Sequence, residues 1–161
     1  MYRNKLNKIG NLIDKIKTDI NLSIISDFLE WFYETLNLNF NQKEPNLNLN
    51  KGEIFFIDLG KNIGSELNKI RPCIIYSGRK YNKSNTVIII PLKSYKGKIN
   101  NNFNIFIKST KYNNLTVDSM VDLSGIKQVS KKRIRLKKGN LEYKYIDKID
   151  KYILKIFEIK N

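Results

Sequence analysis

The chain has 161 residues and a formal net charge of +15, with 30 Lys and Arg against 15 Asp and Glu. That length allows one domain with an appendage but not two enzymatic domains. The charge favours a polyanionic partner: nucleic acid first, then an acidic protein, then an anionic membrane surface. A solvated lysine-rich face, or an AT-biased coding sequence, would give a similar composition without any such partner.

Two residue counts exclude whole classes of chemistry. The single cysteine, Cys73, excludes an internal disulfide framework, and the chain has no Cys/His cluster for structural zinc. Histidine is absent, so a two-histidine ribonuclease mechanism is excluded and acid–base chemistry must use other groups. The chain also lacks a signal-peptide pattern and an apolar run near the ~18 residues of a membrane span. These features predict a cytoplasmic protein with no membrane partner, no metal and no cofactor.

The first 38 residues are predicted to form a helical extension. Apolar residues recur at three- and four-residue spacings from Asn4 to Leu38, which predicts a helical hairpin or one bent helix. The break is expected around Asp19–Ser23, where Asn21 or Ser23 could cap a second helix. The apolar stripe is expected to pack on the following domain or on a second copy of the chain. Residues 39–50, rich in Asn and containing Pro45, are predicted to be a linker.

From Lys51 onward, in residues 51–161, the pattern changes to short β-rich runs separated by turn residues. A capped turn beginning at Ser130 and a C-terminal helix over Leu141–Phe157 follow them. Several short strands so spaced predict an α+β fold with a small, strongly curved sheet or barrel. The candidate strands are Glu53–Leu59, Pro72–Tyr76, Thr86–Leu92, Phe103–Ile107, Ser119–Leu123 and Ile126–Val129.

One block carries a recognisable motif. Gly64-Ser65-Glu66 is followed by Arg71-Pro72 within a strand–loop–strand frame, and a second β-rich run ends Pro91-Leu92-Lys93-Ser94. This block resembles the MazF/PemK family of toxin–antitoxin endoribonucleases, and the resemblance extends from Lys51 to about Phe157. It implies an SH3-like or PemK-like barrel, a homodimer and metal-independent cleavage of single-stranded RNA, leaving 2′,3′-cyclic phosphate and 5′-hydroxyl ends. It also implies a cognate antitoxin that covers the basic groove with an acidic or amphipathic segment.

Arg71 is the first candidate catalytic residue. A forked, permanently charged guanidinium suits the negative charge that builds on phosphate during RNA cleavage, and Pro72 favours an extended backbone before it. The alternative is a structural salt bridge from Arg71 to Glu66 or Asp58.

Two residues are candidates for the second catalytic group, because the family's threonine is replaced here by Lys93, with Ser94 following. Lys93 could bind phosphate or transfer a proton. Ser94 could substitute only if the strand turns or bulges, since neighbouring residues of a strand face opposite sides. The remaining option is a protein that no longer cuts RNA.

Cations interleaved with aromatic rings predict a surface for single-stranded RNA, in which the cations follow the backbone and the rings stack on bases. Tyr76 is expected in the core instead, and Lys127 replaces an arginine of the family. The run from Lys131 to Lys138 is expected to hold RNA or to be a solvated turn. The rival function is a binding protein on the same barrel: an RNA binder that does not cut, or a gyrase inhibitor like CcdB. The predicted RNA-binding residues are Ser65, Glu66, Lys69, Arg79, Lys80, Tyr81, Lys83, Tyr95, Lys96 and Lys127.

Overall fold

The computed structural model of the protein describes residues 2–16, 19–98 and 104–159. The chain divides into two units, residues 1–42 and residues 43–161. The first unit contains the helices α1 (Tyr2–Ile16) and α2 (Asp19–Phe40), which confirms the helical period. The break comes earlier than the sequence predicts, because Asp19–Ser23 already belongs to α2. The two residues between the helices lie outside the described ranges.

Helix α1 presents an apolar row to solvent. Its side chains Leu6, Ile9, Leu12 and Ile16 are 40% to 67% exposed and recur at three- and four-residue spacings. A row of this kind is normally covered by another surface. Among the helices in the described ranges, none is long and apolar enough to cross a lipid bilayer.

The second unit is built on one antiparallel sheet followed by helix α3 (Tyr143–Ile156). The strands run in the order β4-β5-β3-β2-β1-β7, and β6 pairs with β3 beside that path. The predicted α+β class, with N-terminal helices, an antiparallel sheet and a C-terminal helix, is confirmed. The strands are β1 (Glu53–Asp58), β2 (Ile70–Ile75), β3 (Thr86–Ser94), β4 (Asn104–Ile107), β5 (Ser119–Asp122), β6 (Lys127–Ser130) and β7 (Ile134–Asn140).

Alternating side chains divide the core between the two faces of the sheet. In β2, Ile74 belongs to one buried cluster, which also contains Ile149 of α3. Its neighbours Cys73 and Ile75 belong to a second buried cluster. This is the period-two alternation of a strand that is covered on both faces. The sheet is therefore held on both sides, which fixes the ends of β2 and β3 where the candidate site lies.

Strand β7 was not among the strands expected from sequence. Its residues overlap the basic run, and its alternating charges are held by carboxylates of β1: Lys137 Nζ lies 2.6 Å from Glu53, and Arg135 Nη2 lies 3.3 Å from Asp58. The alternative of a turn over the whole run is therefore wrong, although Arg135 and Lys137 are exposed to solvent as it expected. The capped turn at its start is confirmed, since the Ser130 hydroxyl accepts the backbone N–H of Lys132 at 3.2 Å. The predicted start of β4, Phe103, lies outside the described residues.

Strand β3 changes partner along its length. On one side it pairs with β2, from Ile75↔Ile89 to Cys73↔Pro91. On its other side it pairs with β6 at residues 86–89 and with β5 at residues 92–94. Pro91 stands at the change, and proline has no amide hydrogen to give to a ladder. The partner change therefore falls where β3 could not have donated a hydrogen bond.

Candidate functional site

A cleft opens where the ladder between β2 and β3 ends. The last pair is Cys73↔Pro91, and beyond it residues 70–72 of β2 and residues 92–94 of β3 line a cavity of about 360 Å³. Prolines at positions 72 and 91 help to end the ladder because neither can donate a backbone hydrogen bond. The other residues that line this cleft are Phe56, Asn68, Lys69, Leu115, Thr116, Val117, Ser119 and Lys138.

Arg71 and Lys93 project to the same side of the sheet at this cleft. Cys73 and Pro91 lie opposite each other. Arg71 lies two residues before Cys73 in β2, and Lys93 lies two residues after Pro91 in β3, so all four side chains share one face of the sheet. Ser94 reaches the cleft from the other face. Its strand continues in regular register with β5, through Lys93↔Met120 and Ser94↔Ser119, without the bulge that would turn Ser94 toward Arg71.

The guanidinium of Arg71 is not neutralised by a carboxylate within the described residues. Its Nε donates a hydrogen bond to the carbonyl of Asn68 at 2.8 Å. Asp58, one of the two expected salt-bridge partners, binds Arg135 of β7 instead. Glu66, the other, is exposed in the loop between β1 and β2. A backbone carbonyl thus orients the guanidinium while leaving its positive charge available to an anion.

Lys93 is held by a buried carboxylate. Its Nζ lies 2.6 Å from Oδ2 of Asp122, and the side chains are 37% and 6% exposed respectively. The second oxygen of Asp122 accepts the hydroxyl of Ser124 at 2.6 Å. A buried carboxylate requires partners on its oxygens, and here two side chains supply them. Neither Asp122 nor Ser124 was predicted from the sequence as a site residue, although an acid between the apolar residues Val121 and Leu123 is a signal for a buried charge.

Cys73 lies beneath the cations and is not a nucleophile. Burial raises the pKa of the Cys73 thiol to about 12, against the opposing effect of the positive charges of Lys127 and Arg71. The thiol is therefore protonated at neutral pH. The same electrostatics show that Lys127, which pairs with Ile89 across β6 and β3, contributes its charge to this region of the sheet.

A larger cavity of about 630 Å³ adjoins Lys93 on the side of Asp122. Leu59, Leu67, Pro91 and Ile126 give it apolar walls, and Gly125 also lines it. The polar side chains of the lining are those of Ser65, Glu66, Lys93, Asp122, Ser124 and Lys127. Lys93 lines both cavities and so separates the cleft from this chamber. A ligand here would meet apolar surface and hydrogen-bonding groups together.

The loop that carries Ser65 and Glu66 is closed by its own hydrogen bonds. The side-chain amide nitrogen of Asn62 donates hydrogen bonds to the carbonyls of Leu59 at 3.1 Å and Leu67 at 2.7 Å. The Asn62 backbone N–H donates to the side chain of Asn68 at 2.6 Å. At the loop's base the Lys69 N–H donates to the carbonyl of Gly60 at 2.8 Å. These bonds place the Gly-Ser-Glu motif against the larger cavity.

The remaining predicted RNA-binding residues lie elsewhere. Arg79 and Lys83 line a separate cavity of about 280 Å³ with the buried Lys131, at the end of β3 opposite the cleft. Tyr81 is 77% exposed there, and Lys80 is exposed beside it. Past the other end of β3, Tyr95 packs edge-on against Phe106 with 4.9 Å between ring centres, and Lys96 is exposed. Tyr76, expected in the core, packs partly buried against it.

The described residues bring together no group of three or more His, Cys, Asp or Glu side chains that could hold a metal ion. The fold and site define an α+β protein with a cationic cleft at the split end of an antiparallel sheet, suited to an anionic polymer. A family model described as PemK-like, MazF-like toxin of type II toxin–antitoxin system matches residues 50–157. The chain therefore belongs to this family, and residues 1–49 lie outside the match.

Solved structures of this family share the fold. MazF from Deinococcus radiodurans has a TM-score of 0.60 at 13% identity, covering 71% of this chain and 100% of that one. An endoribonuclease in complex with its cognate antitoxin from Mycobacterial species has a TM-score of 0.56 at 15% identity, covering 70% and 98%. The Mycobacterium tuberculosis toxin MazF-mt6 has a TM-score of 0.53 at 15% identity, covering 68% and 99%. No curated protein sequence matches this chain.

Proposed function

We propose that the protein is a metal-independent endoribonuclease toxin that cuts single-stranded RNA, leaving 2′,3′-cyclic phosphate and 5′-hydroxyl ends. The observation that supports this most is the placement of Arg71. Its guanidinium, oriented by the Asn68 carbonyl and not neutralised by a carboxylate of the described residues, shares one side of an open cleft with Lys93. A preorganised pair of cations is suited to an anionic transition state.

Each proposed role follows from the chemistry of the group. In this cleavage the 2′-hydroxyl loses its proton to water and its oxygen attacks the phosphorus, the bond from phosphorus to the 5′-oxygen breaks, and the leaving oxygen takes up a proton, so that no proton is gained or lost overall. Arg71 stabilises the charge on the phosphate with its fork of N–H groups. Lys93 supplies a second positive charge and an N–H close to the leaving oxygen.

The proposed partners follow from charge. With a net charge of +15, the chain attracts RNA through its basic surface, where Lys69 in the cleft and Lys127 at the larger cavity hold the phosphates nearest the cut. An acidic antitoxin laid over the cleft would compete with RNA for Arg71 and Lys93. The solved endoribonuclease in complex with its cognate antitoxin is a precedent for such a partner. Separately, we infer that the protein works as a homodimer.

One observation favours the rival function, a binding protein on the same fold. The ammonium of Lys93 is already engaged by Asp122 at 2.6 Å, which would suit a residue that binds phosphate without taking part in cleavage. An RNA binder that does not cut, or an inhibitor of gyrase, would retain such a contact.

A cleavage assay separates these functions. A labelled single-stranded RNA is incubated in EDTA with the wild type, with Arg71→Ala and with Arg135→Ala, a control that removes an arginine held by Asp58 outside the cleft. We expect the wild type and the control to cut, and Arg71→Ala to lose at least about a hundredfold in rate. Products that accept a 5′-label from polynucleotide kinase without prior phosphatase treatment would carry the expected 5′-hydroxyl.

The contrary result is equally specific. A wild-type protein that shifts the RNA in a gel but leaves it intact would refute the nuclease. If that protein also blocked DNA supercoiling by purified gyrase, the rival function would stand.

A further inference from the structure

We propose that Asp122 is a positioning residue, which fixes the ammonium of Lys93 at the cleft so that it meets the scissile phosphate. The inference rests on the proposed function and assigns to that site the last residue of β5. It concerns how Lys93 is held, and its test includes a binding measurement that does not require cleavage.

The burial of the two side chains shows which one anchors the other. Asp122 is 6% exposed and Lys93 is 37% exposed, so the carboxylate belongs to the interior while the ammonium reaches the surface. Asp122 is the last residue of β5 and pairs with Asn104 of β4, and its second oxygen is held by Ser124. The carboxylate is thus fixed by strand, burial and hydrogen bond before it meets Lys93.

Lys93 needs such an anchor because of its length. A lysine side chain has four rotatable bonds, and holding it in one conformation costs up to ~2 kcal/mol of side-chain entropy. The contact with Asp122 selects one conformation in advance, so that this cost does not fall on RNA binding. Two further N–H bonds of the ammonium remain for a ligand.

The direction of the contact also suits this role. Asp122 and Ser124 line the larger cavity but not the cleft, whereas Lys93 lines both. The carboxylate therefore approaches Lys93 from β5, on the side of β3 away from Arg71, and none of the described residues that line the cleft carries a negative charge. The carboxylate also reduces the repulsion of Lys93 with Arg71, which lines the cleft with it, and with Lys127, which lines the larger cavity with it.

The test is a double-mutant cycle between Asp122 and Lys93. Binding is measured by fluorescence anisotropy with a 2′-O-methylated single-stranded RNA that cannot be cut, and cleavage with the unmodified RNA. The variants are Asp122→Asn, Lys93→Met and the double variant. Asp147→Asn is the matched control, since it breaks another lysine–aspartate pair, with Lys151, on α3.

We expect Asp122→Asn to weaken binding by about three- to tenfold and to lower kcat/KM by about tenfold to a hundredfold. Lys93→Met should do the same, and the double variant should be no worse than Lys93→Met, because Asp122 acts only through Lys93. Asp122→Glu should restore part of the loss, and Asp147→Asn should behave as the wild type.

Several results would overturn the proposal. They are additive losses in the double variant, equal losses in Asp122→Asn and Asp147→Asn, or a wild type that does not bind the RNA. If Asp122→Asn does not fold, Ser124→Ala replaces it; a loss that persists in the Lys93→Met background contradicts the role, and a loss that vanishes there supports it. A wild type that binds the methylated RNA but does not cut would refute the nuclease alone, and the cycle in binding would still decide the role of Asp122.

Discussion

Gly125 lies so close to Pro91 that a Cβ atom on it would come within 2.8 Å of the proline Cγ. The proline ring is fixed in β3, so a larger residue would displace the turn Leu123–Gly125 that carries Ser124. We expect Gly125→Ala to lower the free energy of unfolding by about 1–3 kcal/mol and kcat/KM for RNA cleavage by about tenfold or more. Urea denaturation and the cleavage assay measure these effects.

The control for this substitution is Gly78→Ala, because a Cβ atom there would come no closer than 4.0 Å to the ring of Tyr81. Its free energy of unfolding should change by less than about 0.5 kcal/mol. Equal stability and activity of Gly125→Ala and the wild type would show that the turn tolerates displacement.

Lys93 and Ser94 are expected to differ sharply in their contribution to cleavage. Lys93 shares a face with Arg71, whereas Ser94 stays in register with Ser119 on the other face. Lys93→Ala should therefore lose about tenfold to a hundredfold in kcat, and Ser94→Ala should lose less than about threefold. Single-turnover cleavage at saturating enzyme gives the two rates. The reverse order would mean that the strand bends at Ser94 when RNA binds.

Most of the strands could be predicted, and Arg71 could be selected as a candidate, because their signals are local. The short β-rich runs of β1 and β3 and the motif around Arg71 can be read from neighbouring residues. Strand β7 could not be predicted this way. Its positive charges are stabilised by Glu53 and Asp58, which are more than seventy residues earlier in the chain. The residues of β7 alone therefore indicate a solvent-exposed basic segment and not a strand.

The contact between Lys93 and Asp122 was missed for a related reason. It exists because β3 changes partner at Pro91 and brings β5 beside Lys93. A sequence gives the charge of each residue but not the register that places two of them together. The choice between Lys93 and Ser94 as the second catalytic residue depends on the same register. The sequence therefore leaves the two residues as alternatives.

Glu53 should make stability depend on acid pH. Burial alone would raise the pKa of Glu53, but its hydrogen bonds with Lys137 and Asn50 outweigh burial and lower the pKa. A lowered pKa in the folded state stabilises the protein at neutral pH, and this contribution is lost as pH falls through the folded value. We expect Glu53→Gln to lower the free energy of unfolding at pH 7 by about 1 kcal/mol.

This difference between Glu53→Gln and the wild type should shrink as the pH falls through the lowered pKa of Glu53 in the folded state, below which the carboxyl is protonated in both states. Urea denaturation at several pH values measures it. A difference that stayed constant with pH would indicate lost packing in place of lost charge.

Tyr76 should make stability depend on alkaline pH. Its hydroxyl donates to Asp150 at 2.8 Å, and Lys51 binds the same carboxylate at 2.7 Å. Burial raises the pKa of Tyr76, and the hydrogen bond and charge of Asp150 raise it further. A raised pKa in the folded state stabilises the protein below the unfolded value, and this contribution is lost as pH rises.

We expect Tyr76→Phe to lower the free energy of unfolding by about 1 kcal/mol at pH 8. Above pH ~10 it should lose stability less steeply than the wild type. The urea midpoints of Tyr76→Phe and the wild type, measured from pH 8 to above pH ~10, test this prediction. Tyr143→Phe, which removes an exposed phenol of α3, should follow the wild type, and parallel curves for all three proteins would show that Tyr76 ionises as readily in the fold as outside it.

The apolar row of α1 should control the assembly of the protein. Leu6, Ile9, Leu12 and Ile16 are exposed, and a second copy of the chain would remove them from water at about 25 cal/mol per Å² of apolar surface. We expect a truncated variant of residues 50–161 to lose dimer affinity or solubility. In the full chain, Ile9→Glu should do the same, and Lys8→Glu, a charge reversal at the adjacent exposed position, should not. Sedimentation velocity over a range of concentrations gives the association state. A truncated variant that is soluble, dimeric and fully active would show that the helices are not required for the dimer.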